Sequence, residues 1–391
     1  PDEAVQARIL DAVRRAVPGQ AVHDETRIAS GNGPAFVALA LFGAGKLAEL
    51  SLGRVTVAGD ELQVDGRARS TESYAVLKSA TVPAGRLVST IRPPLVQPFD
   101  LAFVIEGDRL AVTGYVPNEE AKSAVSAAAK RAAGGRTLRD DTQIADGAPP
   151  DFLAAVRFAA DLTPRLVRGR IALSGKSLTV DGQVASPGDF MVLSRALQVP
   201  VSDRLPPGFV IDRNSVSPPL ISPYVWTATL GAGGLKLAGY VPSEAVRQDL
   251  AAAATAALGT TPIQDDLQIA EGAPPAFPAL ARLALAQLPR LGATVRLAIE
   301  DGKLTVEGTA TSPDAYAAAM RDLGKTLPGN AVGQIAGLIP AGISPFTWNA
   351  DANVARLRLG GYVASEAQRT ALVEAARKFA PQGNVVDQML I

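Results

Sequence analysis

The sequence predicts an α+β fold built of tandem repeats of small α/β sandwiches. Each is a mixed sheet with helices packed on one face, with about two units in every repeat of roughly 120 residues. Three observations predict it. Gly114-Tyr115-Val116, Gly239-Tyr240-Val241 and Gly361-Tyr362-Val363 recur at intervals of 125 and 122 residues. At the same interval the run Ile144-Ala145-Asp146-Gly147-Ala148-Pro149-Pro150-Asp151-Phe152 returns at 269–277 and, more loosely, at 28–36. Inside each long period lies a shorter one, Leu-x-Val/Leu-x-Gly, whose glycines are Gly66, Gly114, Gly182, Gly239, Gly308 and Gly361. The 391 residues leave room for two to four domains at roughly 100–200 residues each.

Each short motif reads as a strand that turns into a helix. Leu62, Leu110, Leu178, Leu235, Leu304 and Leu357 precede the glycines with the alternation of a half-buried strand. After each glycine comes Ser70, Asn118, Ser186, Ser243, Ser312 or Ser365, a residue whose side-chain oxygen caps a helix by accepting an orphan amide. Pro187 and Pro313, or Glu119, Glu244 and Glu366, follow at the first helical position, where each suits a helix start. Helices are expected over 243–258 and 365–379, and a strand over 263–269. Hairpins are expected from 225–230 with 235–241 and from 294–299 with 304–309. The mid-strand glycine is explained as a bulge or as room for a covering helix. The periods divide the chain into repeats at 1–116, 117–241 and 242–363, with an incomplete fourth at 364–391, so the array begins and stops inside a repeat.

The six strand–Gly–helix units resemble BON domains, small α/β modules of bacterial proteins. The Gly-Tyr-Val-Pro-Ser-Glu-Ala run at 239–245 and the Ile-Ala-Glu-Gly-Ala-Pro-Pro run at 269–275 are similar to the BON-like repeats of OmpA-family envelope proteins. The resemblance implies a bacterial cell-envelope location, usually periplasmic and peripheral. It also implies attachment to phospholipid or to other envelope components.

Composition narrows the chemistry. With 38 Lys and Arg against 38 Asp and Glu, the chain lacks the long-range field on which nonspecific nucleic-acid binding depends, so no nucleic-acid partner is expected. The absence of cysteine removes thiol chemistry, disulfides and Cys-based zinc sites. No apolar run approaches the roughly 20 residues of a membrane-spanning helix. His23, the single histidine, aligns with Arg139, Gln264 and Val386, so the repeat makes no demand for an imidazole there. The acidic pairs Asp24-Glu25, Asp140-Asp141 and Asp265-Asp266 are expected to be solvated turn residues. Arg170 to Ser177 falls one glycine short of a phosphate loop, and its Gly175-Lys176 reads as a hairpin turn. No catalytic residue, metal site, cofactor or small-molecule substrate is expected.

Trp226 and Trp348 hold matching positions, with Tyr224 and Phe346 two residues earlier, in line with Phe99 and Leu101. All are expected in the core. The apolar helices beginning near Phe36 and Ala276 are expected to pack between the halves of a repeat. Basic residues collect at Lys122, Lys130, Arg131, Arg136 and Arg139, and again at Arg165, Arg168 and Arg170. These form the candidate patch for an anionic phospholipid surface or an envelope protein. The function expected is a non-enzymatic envelope scaffold or spacer. The alternative is a structural protein that forms homo-oligomers through its incomplete terminal repeats.

Overall fold

The six Leu-x-Val-x-Gly segments are strands, and the residue expected to cap the following helix does so in every copy. Ser70, Asn118, Ser186, Ser243, Ser312 and Ser365 each accept the backbone amide three residues on. These contacts belong to a computed structural model that describes residues 2–198, 205–353, 356–379 and 384–391. The chain divides into two units, Pro1–Ala185 with Met191–Ser217, and Ser186–Phe190 with Pro218–Ile391.

The first unit opens with α1 (Glu3–Ala16) and α2 (Phe36–Lys46). They lead into β1 (Leu50–Ala58), β2 (Glu61–Ala68), α3 (Thr71–Lys78) and β3 (Arg86–Arg92), which make a three-stranded sheet ordered β1-β2-β3. There follow β4 (Asp100–Glu106), β5 (Arg109–Val116), α4 (Glu119–Ala133), β6 (Thr137–Ile144), α5 (Phe152–Leu162), β7 (Leu166–Ser174), β8 (Ser177–Val184), α6 (Pro187–Ala196) and β9 (Val210–Ser217). Their six strands are ordered β6-β5-β4-β7-β8-β9. The outer pairs are parallel, because a helix carries the chain from β5 to β6 and from β8 to β9. β4 and β7 pair antiparallel at the centre. Leu101, Phe103, Ile105, Val112, Ile171, Leu173 and Val180 are all buried on the helix side.

The second unit contains β10 (Val225–Gly231), β11 (Gly234–Val241), α7 (Glu244–Leu258), β12 (Ile263–Ile269), α8 (Phe277–Leu285), β13 (Leu291–Glu300), β14 (Lys303–Ala310), α9 (Pro313–Leu323) and β15 (Val332–Ile339). Their sheet is ordered β12-β11-β10-β13-β14-β15, the same arrangement. β16 (Trp348–Ala352), β17 (Arg356–Tyr362), α10 (Glu366–Phe379) and β18 (Asn384–Leu390) add a three-stranded sheet. Tyr224, Trp226, Leu237, Leu297 and Ile299 meet Phe277 and Leu280 of α8 and Leu250 of α7 in one core. The apolar helix beginning at Phe277 is thus sandwich filling, as expected.

Three expectations need correction. A unit of about 60 residues does not make a sandwich of its own within the six-stranded sheets. It supplies three strands, and a second set of three completes the sheet through β4–β7 or β10–β13. The sheets therefore run through positions 116/117 and 241/242. The strand glycines also have a different cause from a covering helix. Gly66, Gly114, Gly182, Gly239, Gly308 and Gly361 all have positive φ, and what crowds them is the neighbouring strand. A Cβ on Gly239 would strike the Val225 carbonyl oxygen, and on Gly308 it would stand 3.1 Å from that of Thr294. Finally, Tyr224 and Trp226 are buried, but Phe346 and Trp348 are 58% and 45% exposed. β10 lies between β11 and β13, whereas among the described residues β16 pairs with β17 alone, so no second strand flanks its aromatics there.

Candidate functional site

The basic residues singled out in the sequence separate into groups. Arg131 near the end of α4, and Arg165 in the short turn of helix after α5, meet at one hollow of about 350 Å³. Arg157 of α5, which sequence reasoning missed, joins them there. Ala128 and Ala160 form part of the floor. Ala132 and Pro164 also line it, and Asp161 is the one acidic residue in the lining. Lys130 is exposed on α4 beside Arg131.

The other cations are placed elsewhere. Arg136 donates to the carbonyl oxygens of Gly107 at 3.1 Å and Leu166 at 2.7 Å, a structural tie between a turn and β7. Arg139 pairs with Asp141 at 2.7 Å on β6. Arg168 and Arg170 are exposed on β7 and alternate with buried Ile171 and Leu173, so they project from the sheet face opposite the helices. Lys122 lines a different groove, of about 730 Å³, together with Glu72, Glu119 and Glu120. Hydrogen bonds from its own backbone amide and from the Ser70 and Thr71 hydroxyls hold the Glu72 carboxyl below its usual range. In the same groove, burial and then the nearby Glu119 and Asp146 charges push the Tyr74 hydroxyl up. With Lys78 also in the lining, three carboxylates there face two ammonium groups.

Counterparts in the second unit sharpen the contrast. Arg282 stands five residues after Phe277, as Arg157 does after Phe152, and Arg290 corresponds in the same way to Arg165. Arg282 is paired with Asp249 at 2.5 Å, and Arg290 with Asp322 at 2.6 Å. The positions of Asp249 and Asp322 are occupied in the first unit by Ala124 and Ala196, and Arg131 stands where the second has Ala256. Against those two acids the first unit has Asp161 where the second has Ala286, and Arg131 is an added cation. Alignment of the two long helices could have found Arg157 and that signal, but counting cations along the sequence does not.

Asp140-Asp141 and Asp265-Asp266 are structural brackets inside strands, which corrects the expectation of solvated turns for those two pairs, whereas Asp24-Glu25 is exposed and outside any strand. The first acid of each accepts the backbone amide two residues on: Thr26 at 2.9 Å, Thr142 at 3.1 Å, Leu267 at 3.0 Å and, from the last copy, Met389 at 2.9 Å. In three of these four the other oxygen accepts from the preceding helix: Asp265 from Arg247 at 2.8 Å, Asp387 from Arg369 at 2.7 Å and Asp24 from Gln6 at 3.1 Å. Gly175-Lys176 is the tight turn between β7 and β8, and no helix follows it to cradle a phosphate. His23 is exposed. Among the described residues no group of three or more His, Asp or Glu is gathered as metal ligands, and no helix is long and apolar enough to cross a membrane.

No curated protein and no solved structure matches the chain. One part does match a known family: residues 88–146, from within β3 through β4, β5, α4 and β6, match the family model of the BON domain.

Proposed function

We propose that the chain is a non-enzymatic scaffold or spacer of the bacterial cell envelope, made of tandem BON-like modules. In this reading it contacts anionic phospholipid through the Arg131–Arg157–Arg165 hollow. The arginines carry the reading: Arg131, Arg157 and Arg165 meet at one hollow whose lining holds a single acid, Asp161, and Arg131 stands where the second unit has Ala256. The BON match supports the modular part. It covers one strand–Gly–capped-helix segment, and β10, β11, α7 and β12 repeat the same order of elements. A periplasmic, peripheral location goes with this reading.

Co-sedimentation with phosphatidylglycerol vesicles and phosphatidylcholine vesicles, at low and at moderate salt, tests it. Binding is expected to the anionic vesicles only and to weaken with salt. Each arginine near such a surface contributes about 1 kcal/mol, so Arg131→Ser with Arg157→Ser should weaken binding roughly 30-fold. Binding to neither vesicle would overturn the lipid contact and leave an envelope protein as the partner.

A further inference from the structure

The two six-stranded sheets show how a three-stranded half is completed. β4 meets β7 with Leu101 opposite Leu173 and Phe103 opposite Ile171. β10 meets β13 with Trp226 opposite Ile299 and Ala228 opposite Leu297. In both, the phenylalanine that opens the next helix stands edge-on to an aromatic beside the join, Phe152 to Phe99 at 5.2 Å and Phe277 to Tyr224 at 5.5 Å.

The two three-stranded sheets are the separate halves of that arrangement. β16 and β17 repeat β10 and β11, down to a tilted ring pair of Phe346 with Tyr362 at 6.2 Å where Tyr224 meets Tyr240 at 6.0 Å. All of β16 is exposed. α2, β1 and β2 repeat α8, β13 and β14, but Val55 and Val57 are only half-buried where Leu297 and Ile299 are fully so. Phe36 is likewise half-buried where Phe277 is sealed. Each half exposes the side that the other covers in the complete sheets.

We propose that copies of this chain join head to tail, β16 of one adding antiparallel to β1 of the next. The result is a six-stranded sheet ordered β18-β17-β16-β1-β2-β3. Counted from the repeat glycines, the register places Trp348 opposite Val57, Ala350 opposite Val55 and Ala352 opposite Gly53. Phe36 of the second copy then closes over Phe346 and Trp348. Such a contact uses two different surfaces, so it propagates into rings or filaments rather than closing at a dimer. It also displaces a helix. α1 packs on α2 where α4 packs on α5 and α7 on α8, and α10 of the incoming copy claims the same place. α1 is loosely held, with Ala16 its one buried residue, whereas α4 buries six. In this arrangement α1 is a plug that leaves when the neighbour docks.

The chain has no cysteine, which makes the register directly testable. Thr56→Cys and Asn349→Cys, on the outer face and opposite each other across the join, are prepared separately, mixed and treated with a short bis-maleimide. Cross-linked dimer in the mixture but in neither variant alone is expected, together with a mass by light scattering that rises with concentration. Ala350→Lys and Trp348→Asp place a charge on the exposed strand where the join requires an apolar face. Either should weaken association at least about tenfold, and Ala350→Lys, at an exposed position, should leave the melting temperature of the monomer unchanged. Hydrogen exchange should show α1 losing protection on assembly and α10 gaining it. A monomer at every concentration, cross-links within one chain of the double variant, undiminished assembly of both charged variants, or α1 still protected in the assembly would each overturn the proposal.

Discussion

Tyr224 and Trp226 carry polar atoms into the second unit's core without using them. The Tyr224 hydroxyl and the Trp226 indole nitrogen are buried and find no hydrogen-bond partner among the described residues. The corresponding indole of Trp348 donates to the Met389 sulfur at 3.2 Å, but Leu267 occupies that place beside Trp226. Phenylalanine stands at the position of Tyr224 in the other copies, at Phe99 and Phe346. Tyr224→Phe should therefore stabilise the protein by about 1 kcal/mol, since an unpaired buried hydroxyl is a cost without a return. Burial pushes the Tyr224 hydroxyl well above its ordinary value of 10.0. The neutral form thus contributes stability at lower pH that is lost as pH rises beyond that unfolded-state value. Urea unfolding of wild type and Tyr224→Phe across that range should show the variant losing less. Gly239 makes the opposite demand. Its φ of +99° and the Val225 carbonyl against it exclude a side chain, so Gly239→Val should cost about 3 kcal/mol. Gly231→Ala, with nothing within 4 Å, should stay within about 0.5 kcal/mol in the same measurement.

At the scale of elements, a cap and a bracket recur at the two ends of each strand–helix–strand crossover. Ser243 caps α7 through the Val246 amide, and Asp265 of β12 holds Arg247 one turn into that helix. Ser243→Ala should lower stability by about 1 kcal/mol, measured by thermal unfolding, and Ser243→Asp should restore most of it. The caps were legible because a helix N-terminus needs one of a few side chains at one fixed position. The brackets were misread because adjacent acids look alike in sequence. The pleat separates them, turning Asp265 toward the helix and Asp266 toward Lys236 on the other face. Arg157 was overlooked for a related reason. A lone cation in an apolar helix carries no signal until the packing of α4 on α5 sets it beside Arg131 and Arg165.

At the scale of the whole molecule, side chains tie neighbouring sheets together within a unit. In the first, Arg67 of β2 donates to the Pro93 carbonyl at 2.8 Å and to Asp146 at 2.5 Å, and Thr71 donates to Gln143 at 2.8 Å. Arg67→Ala should cost about 1–2 kcal/mol. Its signature in hydrogen exchange should be loss of protection in β1–β3 with β4–β9 unchanged; equal loss in both sheets would argue that Arg67 serves general stability instead. The sequence by itself determined the recurring elements: the six strands that carry the glycine, the cap of the helix that follows each, the alternation of residues along those strands, and that the pattern recurs. Those properties depend on backbone geometry and on local side-chain chemistry, which neighbouring residues suffice to specify. Only the tertiary structure decided which strands share a sheet, and therefore what each aromatic meets. Trp226 and Trp348 sit in matching sequence, yet one is sealed and the other half-open. Burial is set by the strand and helix that arrive from elsewhere in the chain, and β13 and α8 reach the first while no such pair among the described residues reaches the second.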